Sequence, residues 1–253
     1  MNEKEELYDK INSEIMAKRP KMAICYDFDK TLSPDDMQTF TLIPSFGIDK
    51  NDFWESSNKL AKDNLMDTNL AWMHELIKYS KFKRKSLKRE YFKETGADVK
   101  LYKGVKTWFK RINAYAEKKG LELEHYIISS GLKEIIEGSE IAPYFKRIYA
   151  STYLYSADGI AEWPAQAINY TNKTQFIFRI AKGFLEEYDE RVNDSMPKES
   201  LRKYPLGQQP HTKIVSDWPE AVQNQSWRRS RQKSAREKFR LKYRCCRIAA
   251  ESP

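Results

Sequence analysis

The 253 residues are 40% apolar and 13% aromatic, enough for a sizeable core, which excludes a disordered or fibrous chain. No run approaches the roughly 18 apolar residues of a membrane span, and the charged MNEKEELYDK has no apolar stretch behind it, so a soluble, cytoplasmic protein is expected. The net charge of +9 is uneven: residues 207–253 hold 11 of the 45 Lys and Arg but 4 of the 36 Asp and Glu, and arginine dominates there while lysine dominates before it. Cys25, Cys245 and Cys246 form neither a disulfide framework nor a zinc spacing.

A polar helix over residues 3–18 and Pro20 precede KMAICYDFD, which reads as a short buried strand with Asp27 and Asp29 at its carboxyl end. Ligands of open α/β sheets sit beyond such strand ends. Two carboxylates so close repel, each raising the cost of ionising the other, so something positive or reactive is expected between them. Residues 35 to about 100 read as helical, with Leu70, Met73, Leu76 and Ile77 on one face and Ser86 and Gly96 as cap and stop of a later helix. No strand pattern interrupts this block, which therefore reads as an inserted cap. Within it KFKRKSLKR is expected to be a solvated helix face, and Trp54 and Trp72 are expected to pack in the core rather than line a substrate pocket.

From Gly104, Val105, Trp108, Phe109, Ile112, Tyr115 and Ala116 fall at helical spacing up to Gly120. LELEHYIISSG follows as a second strand ending in Ser129, Ser130 and Gly131, and GLKEIIEG opens a helix whose first amides face whatever lies beyond the strand. IYASTYLYSADGIAEWPAQAI predicts a hairpin turning at Asp158 and Gly159. NKTQFIFRIAKG predicts a helix with Phe176, Ile177, Ile180 and Phe184 inward and Lys173 in its first turn, where the helix dipole disfavours a cation and an anionic partner would relieve the conflict. His74, His125 and His211 lie in separate segments without metal-ligand spacing.

A strand, DxDxT, a helical insert, a strand ending in serine and a later lysine, in that order, resemble the haloacid dehalogenase-like hydrolase superfamily, most closely its phosphoserine-phosphatase-like branch, over residues 20–206. The resemblance implies an α/β fold with a Rossmann-like parallel sheet and a helical cap inserted after the first strand. Residues 1–34 and 101–220 would form the core, 35–100 the cap and 221–253 a basic tail. It also implies Mg²⁺-dependent phosphomonoester hydrolysis of a small phosphorylated metabolite, with Asp27 as the nucleophile that becomes an aspartyl-phosphate and Asp29 as general acid and base. Ser129, with Ser130 as rival and the amides after it at Gly131, would bind a phosphoryl oxygen. Lys173 would stabilise charge on the nucleophile and the transferring group, and Thr31 would bond the loop after the strand. The metal would be held by the Asp27 carboxylate, the Asp29 backbone carbonyl and a later acid. The family's acidic fourth motif has no clean counterpart: HTKIVSDWPEAV offers Asp217, with Glu220 after it, but serine replaces the usual glycine.

The arginine-rich end fits either translation in a shifted reading frame or a basic appendage contacting nucleic acid. A second reading of the whole chain is a catalytically impaired or truncated relative that binds a phosphate ligand or nucleic acid. Phosphomutases and dehalogenases share the superfamily, but a second aspartate in DxDxT supplies the proton transfer that hydrolysis needs.

Overall fold

The computed structural model describes residues 20–195. The sheet has four strands in the order β1 (Lys21–Tyr26), β2 (Glu122–Leu132), β3 (Arg147–Tyr155) and β4 (Ala161–Gln166). β1, β2 and β3 are parallel, and β4 folds back antiparallel on β3 through the turn at Asp158 and Gly159, where Gly159 takes a φ of 73°. This is the expected α/β sheet. Between β1 and β2 run α1 (Lys50–Asp63), α2 (Thr68–Phe82), α3 (Arg89–Gly96) and α4 (Val105–Lys118); α5 (Lys133–Glu137) follows β2 and α6 (Lys173–Lys182) follows β4.

β2 is the central strand and is buried along most of its length, as a parallel strand covered on both faces must be. One cluster joins Val105 and Phe109 of α4, the insert residues Phe53, Trp72, Met73 and Leu76, and the sheet residues Ile127, Leu132 and Ala150. The helical insert therefore shares a continuous core with the sheet. On the other face Tyr126, Ile128 and Tyr149 pack against Phe176 and Ile180 of α6. α3 and α5 touch backbone to backbone: a Cβ on Gly96 would lie 2.2 Å from the Ile135 carbonyl oxygen, and one on Gly138 would lie 1.8 Å from that of Lys93.

Several local expectations change. β1 is only half-buried and Cys25 is exposed, because β1 has a single neighbour and forms the edge of the described sheet. Ser86 is not a helix cap: Leu87 and Lys88 are extended against the hairpin, with Ala161 N–H donating to the Leu87 carbonyl, so α3 cannot start before Arg89. KFKRKSLKR is not a helix face beyond Phe82; it is the connection from α2 to α3, and its Lys85 turns inward to bond the Ser45 carbonyl and the Tyr91 hydroxyl. Leu70 is half-buried where Met73, Leu76 and Ile77 are buried. Phe184 lies beyond α6, which ends at Lys182 with Gly183 at φ 78°, and is covered by the Arg191 guanidinium. Trp72 is buried and Trp54 packs edge-on against it, as core residues. The helix expected over 3–18, His211, Asp217, Glu220, Cys245, Cys246 and the basic tail lie outside the described residues.

Candidate active site

The site stands at the carboxyl ends of β1 and β2. Tyr26 pairs with Ile127 in parallel register, so Asp27 to Asp29 emerge beside Ile128 to Ser130. Immediately after β1 the chain turns tightly: the Phe28 carbonyl accepts the N–H groups of Thr31, Leu32 and Ser33, and Lys30 sits at φ 58°. Thr31 thus acts through its backbone here. Phe28, between the two aspartates in the chain, is fully buried, which anchors the loop.

Lys173, in the first turn of α6, places Nζ 3.0 Å from Asp27 Oδ1, with both side chains 23% exposed. The expected anionic partner of Lys173 is therefore Asp27, 146 residues earlier in the chain. The same oxygen accepts the Phe28 N–H at 2.9 Å.

Asp29 lies in a different setting. Its Oδ1 accepts the Met37 N–H at 2.8 Å, and it makes no ion pair among the described residues. Lys30 and Lys50 are bonded to Asp36 and Asp35 at 2.6 and 2.9 Å. Burial, and next the Asp36 charge, push the Asp29 carboxyl up to about 8; the Met37 N–H opposes this and the Asp27 charge adds to it. Gly131 fits against this carboxyl, since a Cβ there would lie 2.2 Å from Met37 Cε and 2.8 Å from Asp29 Oδ2.

β2 does not stop at the serines. It continues to Leu132, and its register against β3 shifts between Ile128 and Leu132, where the pairing moves from Tyr149 to Ser151. Ser129, Ser130 and Gly131 form this irregular stretch, a device that re-aims side chains beside a site. Ser129 is fully buried and its Oγ accepts the Gly131 N–H at 3.1 Å, while Ser130 is half-buried. The two expected phosphate-binding serines therefore differ in access, and Ser130 is the more open. α5, only five residues long, begins two residues after Gly131.

Several residues that sequence reasoning passed over fix these loops. Ser151 is fully buried; its Oγ donates to the Ser130 carbonyl and accepts the Ile168 N–H, both at 3.0 Å. It ties the β2 loop to the segment leading into α6, and in the sequence IYASTYLY nothing distinguishes it from its hydroxyl-bearing neighbour Thr152. Asn169 and Asn172 build that leading segment: Asn169 Oδ1 accepts the N–H groups of Thr171 and Asn172, Asn172 Oδ1 accepts the Asn169 N–H, and the Asn169 carbonyl accepts the Lys173 N–H at 3.2 Å.

The expected metal donors are only partly present. Asp27 and the Asp29 carbonyl offer hard oxygens of the kind Mg²⁺ prefers, but among the described residues no three His, Cys, Asp or Glu groups converge to hold an ion. The third expected ligand, Asp217, is outside them.

No family model matches the chain. It is 28% identical over 200 residues to an uncharacterized protein of Borreliella burgdorferi, covering 69% of each chain. Among solved structures it is similar to a HAD family hydrolase from Salmonella enterica serovar Typhi, with 16% identity and a TM-score of 0.47 over 65% of this chain. This chain spans 52% of that protein's length. It is also similar to a phosphoserine phosphohydrolase-like protein from Francisella tularensis, with 20% identity and a TM-score of 0.43, covering 66% of this chain and 74% of the other. No described helix is long and apolar enough to cross a membrane.

Proposed function

We propose that this chain is a haloacid dehalogenase-like phosphatase that hydrolyses a small phosphomonoester through an aspartyl-phosphate on Asp27. The observation that carries the reading is the contact of Lys173 Nζ with Asp27 Oδ1 at 3.0 Å, at a sheet end that also holds Asp29 and the Ser129–Gly131 stretch. A carboxylate meant only for structure needs no such company at a strand end, whereas an attacking carboxylate must be held against a dianion and oriented.

In this reading an Asp27 carboxylate oxygen attacks phosphorus while Lys173 spreads its charge over the nucleophile and the incoming phosphoryl oxygens. Asp29, held protonated near neutral pH by burial and Asp36, donates a proton to the leaving oxygen. Once deprotonated it takes a proton from the water that attacks the aspartyl-phosphate, which releases phosphate and restores both carboxyls. Ser130, half-buried where Ser129 is fully buried, binds a phosphoryl oxygen, while Ser129 shapes that loop by accepting the Gly131 N–H. Mg²⁺ held by the Asp27 carboxylate, the Asp29 carbonyl and Asp217 would screen the repulsion between Asp27 and the phosphate.

The test is phosphate release from an aryl phosphate, with Mg²⁺ or chelator, by the native chain and by Asp27→Asn. Turnover that requires Mg²⁺ and vanishes in the variant supports the reading. A folded native chain with no more turnover than the variant rejects it and leaves a phosphate-binding relative, which isothermal titration with inorganic phosphate would reveal.

A further inference from the structure

The segment that leads into Lys173 is tied to the helical insert. The segment that launches α6 is bonded to the start of α2 by two side-chain contacts that reach about 100 residues along the chain. Asn169 Nδ2 donates to Asp67 Oδ2 at 3.0 Å, and Asn69 Nδ2 donates to the Ile168 carbonyl at 2.9 Å. Asp67 is also the N-cap of α2, its Oδ1 accepting the N–H groups of Asn69 and Leu70. One carboxylate thus ends the insert helix with one oxygen and holds the lysine loop with the other.

The orientation of the Asn169 amide is fixed, because its oxygen is claimed by the Thr171 and Asn172 N–H groups and the Thr171 hydroxyl. Its NH₂ can therefore only face Asp67. From Asn169 the path to the site is short: its carbonyl accepts the Lys173 N–H, and Lys173 Nζ meets Asp27.

We infer that Asp67 and Asn169 are positioning residues, a donor–acceptor latch by which the insert holds Lys173 on Asp27; its effect on turnover rests on the hydrolase reading above. The sidedness of the latch makes it testable by exchange. Asp67→Asn keeps a good N-cap, but its oxygen is bound to the helix N–H groups, so its NH₂ meets the NH₂ of Asn169 and the latch opens. Asn169→Asp alone sets two carboxylates against each other. The double variant Asp67→Asn/Asn169→Asp restores one N–H···O contact with donor and acceptor exchanged.

Two readouts separate this inference from the hydrolase reading. The first needs no turnover: the rate of acylation of the Lys173 amine by a limiting N-hydroxysuccinimide ester, followed by peptide mass spectrometry with the exposed lysines as internal controls. Asp67→Asn should raise the Lys173 rate several-fold, and the double variant should return it to the native value. The second is turnover of an aryl phosphate, where Asp67→Asn should lower kcat by about 10- to 100-fold with little change in KM, as misplacement of a catalytic group does, and the double variant should recover most of it. An unchanged Lys173 acylation rate in Asp67→Asn overturns the latch, as does a raised rate that the double variant fails to restore. A native chain without turnover sinks the hydrolase reading alone, and the acylation rates still decide the latch.

Discussion

Asp27 and Asp29 are the same residue type two positions apart, yet they sit in opposite electrostatic settings. Asp27 shares an oxygen with the Lys173 ammonium at 3.0 Å. Asp29 faces a backbone N–H, the thioether of Met37 and the acid Asp36, and burial pushes its carboxyl up to about 8. The difference teaches that one loop can hold one carboxylate against a cation while burial and a neighbouring acid drive the other towards its protonated form.

The largest effect should come from treating the two alike. Asp27→Asn removes the nucleophile and is expected to lower turnover by about 10⁴-fold or more. Asp29→Asn keeps the shape of a protonated acid but cannot cycle its proton, and is expected to cost about 10²- to 10⁴-fold. A burst experiment sharpens the contrast: Asp29→Asn should still form the aspartyl-phosphate from an aryl ester with a good leaving group, and Asp27→Asn should form none. A burst in Asp27→Asn would reverse the assignment.

Lys173→Met makes the setting of Asp27 resemble that of Asp29. Removing one preorganised cation is expected to lower kcat by about 10²- to 10³-fold. A loss below twofold would show that the ion pair serves stability alone. Gly131→Ala acts on the other carboxyl, because its Cβ would fall 2.2 Å from Met37 Cε and 2.8 Å from Asp29 Oδ2. Met37 can yield, so the expected cost in chemical denaturation is about 1–3 kcal/mol.

Much of this comparison was readable from the chain. An apolar run before DFD put both aspartates at a strand end, and the hydroxyl and lysine segments followed in the order that the structure joins at one sheet end. The unlike settings were not readable. What buries Asp29 is Met37, eight residues on, and the close approach of Gly131 from another strand. Neither leaves a periodic signal. The shift in register at Ser129 to Gly131 was hidden for a related reason: SSG reads as the end of the strand, while the pairing of Leu132 with Ser151 resumes the strand beyond it. KMAICY read as fully buried because an apolar run cannot reveal how many neighbours its strand has. Ser86 misled because pairing of Leu87 and Lys88 with the hairpin overrides a local capping signal.

The smallest effect isolates Asp29 from its partner through stability rather than rate. In the metal-free protein its native carboxyl titrates at about 8, against about 3.9 for an unfolded aspartate. Between these values the native state holds a proton that the unfolded state has released, so stability falls as pH rises, by at most about 1.4 kcal/mol per pH unit. His125 acts in the opposite sense. Its ring is buried, with Nδ1 against the Tyr26 hydroxyl at 3.0 Å and Nε2 against Asn113 Oδ1 at 2.8 Å, and burial lowers it to about 4. Between about 4 and 6.5 the unfolded histidine binds a proton that the native one does not, so stability rises with pH there. The two slopes offset each other below about 6.5, and above it the histidine slope fades while that of Asp29 persists. Urea unfolding in chelator should therefore show stability falling by about 1 kcal/mol from pH 6.5 to 8, and Asp29→Asn should remove that fall while leaving Asp27 and its lysine in place. In the variant the histidine slope is no longer opposed, so stability should rise from pH 5 to 6.5. A native protein equally stable at pH 6.5 and 8 would mean that Asp29 has already lost its proton at pH 6.5, and the contrast drawn between the two settings would fall.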